Sequence, residues 1–386
     1  MTSAPDIEDG PAISPLRAGD DPNAVAVAGQ WRLIWLKFIR NKVALVAGII
    51  ICFFYFVGIF AEFLAPGLPT KAQPRFTYAP PQEFSLWVHD DDGRHFLPHV
   101  SGYKMEVDPA SLKRHFTVDE DKVIPLGFFV RGAKYKFWGL WESDLHLFGA
   151  KNGRDPVNLL GTDRLGRDLL TRLIYGTRVS MSIGLIGVFS TLLIGVVMGA
   201  LSGYYGGWVD MVIQRIIEII SAMPTIPLWL GLAAAIPITW SPLTVYFVIT
   251  LIVSLLAWTS LAREVRGRFY ALKGEDFVTA ARLDGSSQRR VIFRHILPSL
   301  TSHVLAVVTL AIPTMIVAET SLSFLGIGLK PPVVSWGVLL QDAQDIRAVA
   351  TAPWLLIWPS LAVVTAVLAF NFLGDGMRDA ADPYES

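Results

Sequence analysis

The 386-residue chain is 52% hydrophobic and 17% charged, with a mean hydropathy of +0.46; charged residues make up about a quarter of an ordinary soluble domain. Thirty-three Lys and Arg balance 33 Asp and Glu, so no basic field invites nucleic acid. The composition is that of a membrane protein.

Met1–Gln30 holds five acids, one Arg and four Pro with little apolar periodicity, and reads as a disordered cytoplasmic tail (residues 1–30). It lacks the basic start and apolar core of a cleavable signal peptide. Trp31–Lys42 mixes tryptophans with Arg32, Lys37, Arg40 and Lys42, which predicts an amphipathic helix on the inner membrane surface. Val43–Leu64 is long enough to cross the bilayer, about 20 residues being sufficient, and carries Glu62 near its far end. This helix and first span make up residues 31–65. Cys52, the single cysteine, lies in the apolar run and reads as a buried, inert thiol.

Ala65 to about Arg178 is then external, and residues 66–158 read as a folded insert, mostly β or irregular. His89, His95 and His99 beside Asp90-Asp91-Asp92 raise a metal hypothesis. Their spacing matches no zinc pattern, and a solvated turn is the plainer alternative. Next comes Leu160-Gly161-Thr162-Asp163-Arg164-Leu165-Gly166-Arg167-Asp168, followed by Arg172, Gly176 and Arg178. Asp163 is placed to cap a helix, with Asp168 and Arg172 paired one turn apart. The stretch is expected to be a structural elbow into the next span, with substrate contact as the alternative.

Val179–Leu201 is the second span, and Gly184, Gly187, Gly195 and Gly199 allow close helix approach. Ser202–Asp210 is a tight cytoplasmic turn. The third span runs from about Met211 toward Ile236. Near its inner end Arg215 and Glu218 lie one turn apart, close to Asp210, and read as a structural ion pair or a gating pair. Pro224 and Pro227 should kink this helix, leaving irregular backbone that a translocation path could use. After a short outer turn, Leu243–Ala262 is the fourth span.

Arg263–Pro298 is a polar island with eight Lys/Arg against four Asp/Glu. A basic loop between two spans belongs on the cytoplasmic side, and this orients the rest of the chain, with both termini inside. Glu275 to Leu283 predicts a short helix with a small-residue face at Ala280 and Ala281. Gly285 supplies the permissive φ that ends it, and Ser286 and Ser287 can cap a second helix from Gln288. Pro298 suits the first turn of the next helix. An ordinary cytoplasmic hairpin would show the same local pattern. Leu300–Ala318 is the fifth span, with Glu319 at its outer end, either beside the path or a structural acid. Pro331–Ala350 reads as an outer loop with a short amphipathic helix, and Trp354–Phe372 as the sixth span.

Thr279-Ala280-Ala281, Gly285 and Leu297-Pro298 resemble the EAA loop of ABC-importer permeases. That pattern is Glu-Ala-Ala, three residues, Gly, nine residues, Ile, one residue, Leu-Pro. Thr279 stands for the Glu and His295 for the Ile; Glu275, one turn before Thr279, can present a carboxylate on the same face. The Leu160–Arg178 motif resembles the second permease subunit of dipeptide and oligopeptide importers, with nickel importers as near relatives. Glu319–Gly328 (ETSLSFLGIG) and Gly374–Ala380 with Asp382-Pro383 match the same branch. The resemblance spans Trp31 to Pro383 apart from the insert.

The resemblance implies an all-α integral membrane fold of six transmembrane helices with a large external insert, residues 159–386 forming the permease core. It implies that the loop 263–298 docks in a groove on a cytoplasmic ATPase, through Glu275, Thr279, Ala280, Ala281, Gly285, Arg289, Leu297 and Pro298. Glu319, Pro224, Arg215 and Glu218 become candidates for the path or its gating. The implied partners are a second similar permease, two ABC ATPases, an external substrate-binding protein and membrane lipid. ATP and Mg²⁺ would belong to the ATPases, leaving this chain without cofactor or metal. The setting is the bacterial cytoplasmic membrane, and the cargo peptides, with oligosaccharides or nickel chelates as alternatives. The insert is expected to meet the binding protein or shield the outer vestibule, not to line the path. An intramembrane enzyme or a channel explains less. The chain has no G-x-x-x-x-G-K-[S/T] loop and no His-Glu-x-x-His, His303 is the one histidine clearly inside a span, and neither class accounts for the small-residue basic loop.

Overall fold

The computed structural model describes residues 30–90, 93–107, 109, 114–237 and 239–381. The expected tail short of Gln30, Asp91 and Asp92 of the acidic turn, and Asp382-Pro383 lie outside them.

Helix α1 (Gln30–Arg40) leads into α2 (Lys42–Ile59), whose first turn is capped by Asn41 accepting the Ala44 N–H at 3.1 Å. A short α3 (Ala61–Leu64) follows. One narrow stripe of α2 is buried, through Ala44, Ala47, Ile51 and Gly58, while Ile49, Phe53 and Phe56 are exposed. Cys52 is on the exposed side, contrary to the expectation of a buried thiol. In a span an apolar run faces lipid as readily as protein, so hydropathy does not report packing.

Residues 84–150 form an antiparallel four-stranded sheet in the order β1 (Phe84–Asp90), β2 (Gly93–Val107), β3 (Arg114–Phe137), β4 (Trp141–Ala150). The chain is therefore not all-α; the expected β character of the insert is what breaks that description. The 24-residue β3 serves two partners, pairing with β2 through its first half and with β4 through its second. A small core of Val100, Ile124, Ala150 and Val157 holds the sheet together.

The 37-residue α4 (Leu169–Tyr205) begins ten residues before the expected second span. It packs along α7 (Pro242–Leu272), and the glycines permit the approach. A Cβ on Gly195 would lie 2.9 Å from Leu261, and one on Gly199 2.6 Å from the Ala262 carbonyl. Between them come α5 (Gly207–Ala222) and α6 (Thr225–Ala234), which meet at 88°. In place of the expected kinked third span stand two helices separated by a sharp break, the geometry of a broken span or of a re-entrant loop. Met223 precedes Pro224, is driven out of the helical region to φ −82°, ψ 135°, and ends α5.

After α7 come α8 (Asp276–Leu283), α9 (Gln288–Arg290), a π-helical stretch (Val291–Ile296) and α10 (Leu297–Ser299). Then follow α11 (Thr301–Phe324), α12 (Trp336–Gln341), α13 (Ile346–Thr351) and α14 (Trp354–Ala381). Among the described residues five helices are long and apolar enough to cross a membrane, six if the bent α5–α6 pair counts as one span. The main core lies among α2, α4, α7, α11, α12 and α14, around Met181, Ile249, Met315, Ile316, Trp336 and Phe370. A second cluster joins the end of α4 to α7, α8 and the π-helical stretch, and it positions the candidate site.

Candidate functional site

Glu275 sits at the N-cap of α8 with extended backbone and no side-chain cap bond. The helix ends as its sequence dictates. The Ser286 N–H bonds the Ala281 carbonyl at 3.1 Å, the Gly285 N–H bonds the Arg282 carbonyl at 3.0 Å, and Gly285 takes φ +76°. This is a Schellman cap with glycine at the left-handed position. Ser287 then caps the next helix by accepting the Arg290 N–H at 3.4 Å. Pro298 lies in α10 just beyond the π-helical stretch, where the Leu297 N–H reaches back to the Ile292 carbonyl. The wider turn relieves the clash a proline ring has with the carbonyl four residues before it.

The two alanines part company. Ala281 and Val278 are buried, in one cluster with Tyr204, Val265, Phe269 and Ile292. Ala280 and Thr279 are exposed. The expected continuous small face is therefore split: Ala281 serves the chain's own packing and Ala280 the outside. Phe277 and Leu283, which sequence reasoning did not single out, are exposed too, Leu283 at 84%. Phe277, Ala280 and Leu283 recur at intervals of three and form an outward apolar stripe; that spacing was the available signal. A Cβ on Gly285 would meet no atom of this chain within 4 Å. Arg289 is exposed, Leu297 half-buried and Pro298 exposed.

The loop is tied to the helices behind it. Arg266 on α7 grips Asp210 on α5 with two bonds of 2.6 Å, and Ser202 at the end of α4 also donates to Asp210. Asp210 thus stands apart from Arg215 and Glu218, which pair with each other at 2.7 Å on an exposed surface.

At the opposite end of α4 the Leu160–Arg172 motif closes on itself. Asp163, fully buried, accepts the N–H groups of Leu165 at 2.8 Å and Arg167 at 2.9 Å, the Arg167 Nε at 2.6 Å, and Arg172. Arg172 also donates to Asp342, at the end of α12, at 2.9 Å. The expected cap is therefore reassigned. Asp168, not Asp163, caps α4 by accepting the Thr171 N–H at 2.7 Å, and Arg172 pairs with Asp163 and Asp342, not Asp168. An arginine pointing back toward the helix start reaches the preceding turn more readily than its own cap residue. Burial pushes the Asp168 carboxyl up to about 6, against the opposing bonds from Thr171. Asp342 was missed because nothing local marks it; its partner is 170 residues away.

Glu319 is fully buried within α11 and accepts from Ser323 at 2.7 Å and Ser335 at 2.8 Å. Ser335 caps α12, and the adjacent Trp336 N–H reaches Ser180 on α4 at 3.0 Å. Through these bonds the region of Glu319 ties α11, α12 and α4 together. Pro224 lies at the α5–α6 break. The structure does not bring Glu319, Pro224 and the Arg215–Glu218 pair into one site. Among the described residues no cluster of three His, Cys, Asp or Glu could hold a metal.

A family described as the binding-protein-dependent transport system inner membrane component matches residues 195–384, and one described as the N-terminal TM domain of oligopeptide transport permease C matches residues 29–81. The oligopeptide transport system permease protein OppC of Haemophilus influenzae is 38% identical over 63% of this chain and 75% of its own. The dipeptide transport system permease protein DppC of Lactococcus lactis is 32% identical over 91% of this chain and 90% of its own. A solved chain of the inward-facing MetNI methionine ABC transporter is similar at 17% identity and a TM-score of 0.45, over 55% of this chain and 98% of that one.

Proposed function

This chain belongs to the inner-membrane permeases of binding-protein-dependent ABC importers, of the peptide and oligopeptide branch, and we propose that it carries peptides by forming the translocation path with a second, similar permease. Two cytoplasmic ABC ATPases, which bind ATP and Mg²⁺, and an external binding protein complete the assembly. Oligosaccharides or nickel chelates are the alternative cargo. Six spans result when α5 and α6 cross as one bent element, and residues 66–158 are then external with both termini inside. The basic balance of residues 263–298 supports that orientation.

The observation that carries the coupling role is the outward stripe Phe277, Ala280 and Leu283 on a helix capped by Gly285. A cytoplasmic loop exposing a phenylalanine and a leucine is poorly suited to water and well suited to a groove. Thr279, Ala280, Gly285 and Arg289 lie on the accessible side, whereas Ala281 holds the helix to the cluster beneath it. The test is a Leu283→Cys cross-link in a Cys52→Ser background, with a thiol-reactive photoprobe and the co-expressed ATPases. A cross-linked permease–ATPase product is expected; absence of one from an otherwise assembled complex would defeat the docking role.

A further inference from the structure

The turn between β3 and β4 departs from what its backbone asks for. The Leu140 N–H bonds the Phe137 carbonyl at 2.9 Å, and the two central residues have positive φ, +51° at Trp138 and +75° at Gly139. Turns of this kind select Asn-Gly or Asp-Gly, because a bulky residue at positive φ is strained. Here the first position is a tryptophan, so its side chain has to be wanted there.

Its contacts say where the turn sits. Trp138 Nε1 donates to the Ile59 carbonyl at 3.1 Å, its backbone N–H to Glu62 at 3.3 Å, and the Arg178 guanidinium lies over its ring at 4.5 Å. Phe137 packs on Phe60 and, further up β3, Phe129 on Phe63, with ring centroids 6.2 and 6.1 Å apart. Ile59 is the last residue of α2, an 18-residue helix about 27 Å long at 1.5 Å per residue. That length matches a hydrocarbon core of about 30 Å, so Ile59 marks its edge and the turn is pinned at that depth. Trp138 is 51% exposed, Leu140 72% and Trp141 67%. An aromatic row runs from Phe56 at the end of α2 through Phe60, 4.9 Å away between ring centroids, to Phe137 at the start of the turn. Lys134 and Lys136 flank the turn, with Glu142 paired to Lys136 at 3.6 Å.

We propose that the β3–β4 turn, from Phe137 to Trp141, is seated in the lipid headgroup region beside the first span and fastens the β-sheet unit to the bilayer. Tryptophan belongs at this depth, its ring sharing the apolar side and its N–H the polar side. Leu140 points an aliphatic group into the chain region and the lysines face phosphate. The proposal rests on α2 crossing the membrane, as in the function proposed above, but not on which side the sheet occupies.

The test uses the full chain with its co-purifying subunits in lipid nanodiscs, in a Cys52→Ser background. Leu140→Cys, Trp141→Cys and the distant Val118→Cys are each labelled with an environment-sensitive fluorophore. None of these removes Trp138. A nitroxide high on the lipid acyl chain should extinguish most emission at positions 140 and 141, with little loss to aqueous iodide; position 118 should show the reverse. Iodide quenching at 140 and 141 equal to that at 118 would overturn the proposal. So would protection from both quenchers, which would mean that a protein subunit covers the turn. A membrane-impermeant thiol reagent added outside intact cells to Val118→Cys separately reports the side. Failure there would remove the external placement of the sheet and leave the lipid result to stand alone.

Discussion

Adjacent alanines in α8 offer a sharp separation of folding from coupling. Ala281 is 7% exposed within an apolar cluster, while Ala280 is exposed on the stripe with Phe277 and Leu283. A glutamate at 281 must either overpack the cluster or hold a carboxylate against Tyr204 and Ile292, costing about 3 kcal/mol in permease stability. A glutamate at 280 meets water in the free permease, where a surface change costs within about 0.5 kcal/mol. On the docked surface the same carboxylate loses its hydration without a partner, about 2 kcal/mol or roughly thirtyfold in ATPase affinity. Thermal unfolding of the purified permease and titration of ATPase into permease-containing nanodiscs read the two terms separately. Ala281→Glu should lower the unfolding midpoint; Ala280→Glu should leave it in place and weaken ATPase binding. Unchanged ATPase affinity for Ala280→Glu, with the unfolding midpoint of Ala281→Glu also unmoved, would refute the division of the two faces.

Gly285→Val should leave the permease at normal abundance in the membrane and reduce ATPase co-purification. The valine is strained at φ +76° by about 1 kcal/mol yet meets no atom of its own chain. Arg289→Ala, on an exposed surface, should change co-purification far less. Arg172→Met should cost about 1–3 kcal/mol, measured as lost thermal stability, because it removes one of the two cations that bridge the buried Asp163 and its neighbour Asp342, while Arg167 keeps its pairing with both. Lysine at 172 should restore part of this, lacking the guanidinium fork. Asp168 has its carboxyl raised from 3.8 to about 6 by burial, so the folded chain holds a proton that the unfolded chain releases between those values. Stability from this group is complete below about pH 4 and falls as pH rises toward 6, by at most about 3 kcal/mol. Asp168→Asn keeps a capping side chain and should flatten that pH dependence in thermal unfolding; a slope equal to wild type would show that Asp168 is not its source.

Local chemistry was readable wherever neighbours in sequence are neighbours in space. Gly285 had to end a helix, Ser287 had to cap one, and the glycines of α4 had to admit another helix, since each needs only a few consecutive residues to be stated. Pro224 was read correctly as a disturbance and wrongly as a kink. How far a chain turns at a proline depends on what packs beyond it, and no local pattern carries that. The Asp163 network failed in the same way, because its second acid, Asp342, arrives from the end of α12. Ala281 looked like Ala280 because an alanine reveals nothing of its own surroundings. Which of the two is covered depends on how α8 settles on a cluster whose members come from as far away as Tyr204, 77 positions earlier in the chain.

Helix α4 is 37 residues and therefore about 55 Å long, nearly twice the thickness of a hydrocarbon layer. Its first turn carries Arg172, locked to Asp342, and its last carries Tyr204, in the cluster under α8. The α7 atoms against Gly195, Gly199 and Gly203 leave little slack along its C-terminal half. Such a rod behaves as a lever arm with a load at each end. A tilt of about 10° about the Tyr204 end sweeps the Arg172 end through about 8 Å, by the length of the helix alone. A displacement of α8 that the cluster passes on to α4 would be taken up either by slippage beneath Tyr204 or by travel at the far ion pairs, and the close contacts at the three glycines favour travel.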